Sequence, residues 1–117
     1  MYESTVKTDK FLSPKENKHN SGFGEDMAKF YAQILARTDK YTISNVLAED
    51  TGYGFWINIK KEKFWFSVEL VDAPSKTWSI KLKPIGMASI TFVVMRKTFR
   101  GERIVNDIEE ISEALIN

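Results

Sequence analysis

Tyr53-Gly54-Phe55-Trp56-Ile57-Asn58-Ile59-Lys60 and, after Lys61-Glu62-Lys63, Phe64-Trp65-Phe66-Ser67-Val68-Glu69-Leu70-Val71 carry the clearest pattern in the chain. Successive side chains of a strand point to opposite faces, so Tyr53, Phe55, Ile57 and Ile59 share one face, as do Phe64, Phe66, Val68 and Leu70. The two runs read as an antiparallel hairpin. Lys-Glu suits a two-residue turn poorly, because such turns demand positive φ, so a loop over Lys60–Lys63 is expected. That loop sets Ile59 against Phe64, Ile57 against Phe66, Phe55 against Val68 and Tyr53 against Leu70. A slip of one residue would pair apolar with polar throughout. On the other face Trp65 then lies opposite Asn58 and Trp56 opposite Ser67, which makes the tryptophans diagonal neighbours.

Around this hairpin the chain supplies one small domain. Its 117 residues, 43% apolar and 13% aromatic, can build a modest core and are too few for two independent ones. With no cysteine, disulfides, thiol nucleophiles and thiolate metal sites are excluded. The composition fits a reducing compartment, and the cytoplasm is the expectation. No run approaches the roughly 18 apolar residues of a membrane span, and Met1–Lys7 lacks the apolar stretch of a signal peptide. A soluble protein with no membrane partner is expected.

Residues 1–22 are polar and read as a flexible or irregular N-terminal arm, with residues 23–117 forming the domain. Ser13-Pro14-Lys15-Glu16 has the form of a capping box, but no apolar run follows it, so at most one helical turn is expected there. Phe11 and Leu12 are candidates to pin the arm to the body. Met27, Phe30, Tyr31, Ile34 and Leu35 recur at helical spacing and predict a helix over Glu25–Thr38. Tyr41–Leu47 is β-branched and aromatic and predicts a strand before the hairpin. Trp78, Ile80 and Leu82 predict another after it, and Ser89–Arg96 a last one. Gly101 reads as a turn, and Asn106 as the cap of a closing helix whose Ile108, Ile111 and Leu115 make one face. The fold class is therefore α+β: an antiparallel meander of about five strands with an N-terminal and a C-terminal helix packed on its apolar face.

Chemistry is scarce. His19 is the only histidine and lies in the arm, so triads and multi-histidine metal sites have no basis within this chain. Gly52-Tyr53-Gly54 enters a strand rather than a helix and is a turn, not a phosphate loop. Glu49, Asp50, Glu69 and Asp72 read as solvated turn acids. No catalytic residue, metal ligand or cofactor is expected, and the protein reads as non-enzymatic.

What calls for explanation is the outer face of the hairpin, where Trp56 and Trp65 share a parity with Lys63, Lys81 and Lys83. Tryptophans are favoured anchors of protein interfaces. Aromatic rings beside lysines also suit single-stranded nucleic acid, with rings taking bases and ammonium groups taking phosphates. A purely structural reading has a helix or the arm covering the rings. Net charge is only +1, yet Lys60–Gly101 carries nine basic and three acidic residues, and Glu102–Asn117 carries five acidic and one basic. Asp107, Glu110 and Glu113 would then form an acidic helix surface. The combination fits a small bacterial or phage binding protein that neutralises another protein, such as a toxin or an enzyme, by occlusion, as inhibitors and immunity proteins do. Trp56, Trp65, Lys63, Lys81, Lys83, Asp107, Glu110 and Glu113 are the candidate contact residues. The alternative is a single-stranded nucleic-acid module using the same sheet face.

Overall fold

The structure, a computed structural model, describes residues 2–11, 24–85 and 99–116. In chain order these form β1 (Tyr2–Lys7), α1 (Glu25–Ala36), β2 (Thr42–Ile43), β3 (Leu47–Ala48), β4 (Tyr53–Ile59), β5 (Glu62–Asp72), β6 (Thr77–Ile85) and α2 (Phe99–Ile116). The strands make one antiparallel sheet ordered β1-β6-β5-β4-β2, with β3 also paired to β4. The α+β class and the meander are as expected.

The apolar parities behave as read. Tyr53, Phe55, Ile57, Ile59, Phe64, Phe66 and Val68 are all buried, together with Trp78, Ile80 and Leu82 of β6. Both helices lie on this face. From α1 come Met27, Ala28, Tyr31 and Leu35, and from α2 come Ile104, Ile108, Ile111 and Leu115, spaced to form one helical stripe. Phe66 sits at the centre, stacked on Phe55 at 4.7 Å between ring centroids and tilted against Tyr31 at 5.0 Å.

The hairpin register differs from the expected one by two residues. Tyr53 pairs with Val68, Phe55 with Phe66, Ile57 with Phe64 and Ile59 with Glu62, so the loop is only Lys60-Lys61. Lys60 takes φ 54°, the left-handed region, at a cost of roughly 1–2 kcal/mol for an L-residue. The tighter turn adds a rung to the ladder and brings Phe55 onto Phe66. A shift of two preserves the faces, so apolar still meets apolar.

Three other expectations are corrected. The N-terminal arm is not irregular at its start: Tyr2–Lys7 is an edge strand, Tyr2 opposite Leu82 through Lys7 opposite Thr77. Its alternation is thin, because an edge strand over a single apolar face needs only Val6 fully buried. Phe11 does pack on the body, 5.4 Å from the ring of Phe30. Leu12, the Ser13-Pro14-Lys15-Glu16 box and His19 lie outside the described residues. The strand expected over Tyr41–Leu47 is broken in two. The pairing steps by one residue between Ile43↔Ile57 and Leu47↔Gly54, and the intervening Ser44 turns its Oγ back to accept the N–H of Trp56 at 2.7 Å. Finally, the closing helix begins at Phe99, so Asn106 is not its cap and Gly101 is no turn. Gly101 is buried inside the helix. The strand expected over Ser89–Arg96 lies outside the described residues. No helix among the described residues is long and apolar enough to cross a membrane.

Two buried phenols tie α2 down. Ser112 Oγ donates to the Ile108 carbonyl at 2.8 Å, so in the 2.8 Å contact between the two hydroxyls Tyr31 is the donor to Ser112. Tyr41 donates to Asp107 Oδ2 at 2.6 Å. Burial, with the Asp107 carboxylate adding to it, pushes the Tyr41 phenol well above its ordinary range, and burial pushes Tyr31 up to about 12. Tyr31 ionises near pH 10 when unfolded. Its contribution to stability is thus complete below pH 10 and is lost as pH rises towards 12. The urea midpoint is expected to fall over that interval, and to fall less in Tyr31→Phe. An identical decline in the variant would show that this phenol is not responsible.

Candidate functional site

The sheet face away from the helices carries, along β4, β5 and β6, the residues of the opposite parity. Gly54 and Trp56 lie on β4, Lys63, Trp65, Ser67 and Glu69 on β5, and Ser79, Lys81 and Lys83 on β6. The true register puts Trp56 directly opposite Trp65, correcting the diagonal placement. The rings meet edge to face, with centroids 4.7 Å apart and planes at 62°. That geometry matches the favourable quadrupole arrangement of aromatic pairs. Lys63 Nζ stands 4.3 Å from the Trp56 ring centroid, a cation–π contact.

Trp65 is held at both ends. Its indole N–H donates to Glu49 Oε1 at 3.0 Å, which binds the β3–β4 turn to the sheet. Its six-membered ring lies over Gly54, where any Cβ would come within 2.5 Å of Cζ2. Lys83 is its neighbour on β6, and Lys81 faces Ser67. Both tryptophans are partly buried, and neither helix covers them. Beside Trp65 the small residues Gly52, Ser67 and Ser79 leave a depression of about 240 Å³, rimmed by Glu49, Glu69, Lys81 and Lys83. In its floor, Ser79 Oγ is buried with no hydrogen-bond partner among the described residues. An unmet hydroxyl of this kind carries a desolvation penalty of roughly 1–3 kcal/mol until something bonds to it.

The eight candidate residues fall into two groups on opposite sides of the sheet. Trp56, Trp65, Lys63, Lys81 and Lys83 share the outer face. Asp107, Glu110 and Glu113 lie on α2, on the helical side. Asp107 is occupied as acceptor for Tyr41, with Lys40 Nζ at 3.8 Å, whereas Glu110 and Glu113 are exposed. Glu110 borders a groove of about 430 Å³ between α1 and α2, together with Ile34, Thr38 and Ile111. Glu49 and Glu69, which the sequence presents as turn acids, and Ser79, which it does not single out, also belong to this face; only the pairing of β3 with β4 brings Glu49 to the indole. Among the described residues no group of three His, Cys, Asp or Glu side chains could hold a metal ion. Comparison with protein-family models, curated proteins and solved structures found no match.

Proposed function

We propose that the protein is a non-enzymatic binding module that neutralises a partner protein by occlusion, in the manner of an inhibitor or immunity protein. The observation that carries this reading is the Trp56–Trp65 pair, locked edge to face on the sheet surface that neither helix covers and flanked by Lys63 and Lys83. Rigid, partly buried aromatics contribute contact area at little further entropic cost, which is what an interface anchor needs. The partner's complementary surface is apolar at its centre with carboxylates opposite Lys81 and Lys83, and the cytoplasm is the expected meeting place. A nucleic-acid face fits less well. Base stacking needs an open ring face, but Lys63 sits over Trp56, Trp65 is pinned to Glu49, and Glu49 and Glu69 repel phosphates.

The test is affinity capture from native lysate followed by a binding measurement on the purified complex, comparing the intact chain with Trp56→Ala. Trp56 is the better choice because Trp65 also covers Gly54. An anchor tryptophan contributes about 2 kcal/mol or more, so affinity should drop roughly 30-fold or further with an unchanged circular dichroism spectrum. Equal affinity would remove the face from consideration. Capture of an oligonucleotide whose affinity collapses with added salt would transfer the site to nucleic acid.

A further inference from the structure

The two edges of the sheet are unlike. On one side β2 and β3 are two residues each and separated by the Ser44–Val46 bulge, which blunts that edge against further pairing. On the other side β1 runs six residues in unbroken register with β6, and nothing among the described residues pairs with its outer side. Residues bonded to a neighbouring strand alternate with residues whose N–H and C=O point away from it. The N–H of Thr8 donates to the Lys76 carbonyl at 3.1 Å, the rung next to Lys7↔Thr77, which identifies Thr8, Val6, Ser4 and Tyr2 as the residues bonded inward. Glu3, Thr5 and Lys7 therefore direct their backbone groups outward.

We propose that this edge pairs with β1 of a second copy of the chain, antiparallel about a two-fold axis at Thr5. Cross-strand partners must share a face, which restricts the register to Thr5 opposite Thr5 or a shift from it by whole steps of the pleat. Centring on Thr5 sets Glu3 of each copy opposite Lys7 of the other, two charge-complementary pairs, with Ser4 against Val6 on the helical face. It also uses all three outward-facing residues of both strands in hydrogen-bonded pairs. Glu3 and Lys7 are exposed, and neither makes a direct ion-pair contact among the described residues, although Lys7 lies within the field of the Asp72 carboxylate. Centring on Ser4 instead would set Glu3 against Thr5 and leave Lys7 without a carboxylate. The axis is perpendicular to the sheet, so the two Trp56–Trp65 faces point the same way, and the dimer is bivalent for any partner carrying two sites.

Sedimentation equilibrium of the full chain tests this directly, with a monomer–dimer equilibrium as the expected result. Thr5→Pro removes only an outward N–H, which an edge strand tolerates, and should give a monomer with an unchanged spectrum. Glu3→Lys should weaken the dimer about tenfold, and the exchange Glu3→Lys with Lys7→Glu should restore it, because the two pairs reappear with reversed sense. Trp56→Ala should leave dimerisation untouched. A chain that stays monomeric up to about 1 mM, a Thr5→Pro variant that still dimerises, an exchange that does not restore affinity, or a dimer lost with Trp56→Ala would each overturn the proposal.

Discussion

Phe66→Ala is expected to lower the free energy of unfolding by about 3–5 kcal/mol, against a total of about 5–15 kcal/mol for a domain of this size. Phe66 is wholly buried in the middle of β5, between the ring of Phe55 on the neighbouring strand and that of Tyr31 on α1. Removing it takes away the transfer free energy of the side chain and two ring contacts, each worth about 0.5–1.5 kcal/mol beyond burial. It also leaves a cavity that rigid neighbours cannot close. The strands on either side keep β5 in place, and Tyr31 is held by its bond to Ser112. Urea unfolding followed by circular dichroism reads the loss as a lower midpoint with little change in slope. Phe11→Ala, at the edge of the core and only partly buried, should be several times milder. Equal losses at the two positions would mean that the core is not centred on Phe66.

How much of the fold is legible in the sequence follows from what a pattern can and cannot encode. The faces of β4 and β5 were legible because alternation has a period of two. The same period concealed the register, since the two-residue loop at Lys60-Lys61 and the four-residue loop put identical residue types on identical faces. The choice between them lies in the left-handed backbone at Lys60, which a lysine does not advertise. β1 escaped notice because it buries a single face at the sheet margin, where Val6 alone is deeply covered. The start of α2 was missed because Gly101 resembles a breaker, whereas here it is a small residue buried within the helix. For the site, the shared face of Trp56, Trp65 and the three lysines could be read from parity. The anchoring of Trp65 by Glu49 could not, because it depends on the bulge that steps β3 into register with β4.

Gly54→Ala should be as damaging as a core truncation, although only one methyl group is added. A Cβ at this position would lie 2.4 Å from the Phe66 carbonyl oxygen and 2.5 Å from Trp65 Cζ2. The indole could swing aside, at the expense of its bond to Glu49 and its edge-to-face contact with Trp56. The carbonyl cannot, because it belongs to the backbone of β5, so relief requires β4 and β5 to move apart in the middle of the sheet. Overpacking of this kind costs roughly 1–3 kcal/mol, and two simultaneous conflicts place the change at the upper end or beyond. The near-ultraviolet tryptophan signal should change along with stability. A double-mutant cycle with Trp65→Ala separates the two contacts: removing the ring relieves one conflict, so alanine at 54 should be about 1 kcal/mol or more less harmful in that background. Additive losses would show that the ring does not rest on Gly54. The outer face would then lack the fixed indole on which the binding proposal depends, whereas the core and the β1 edge would stand as described.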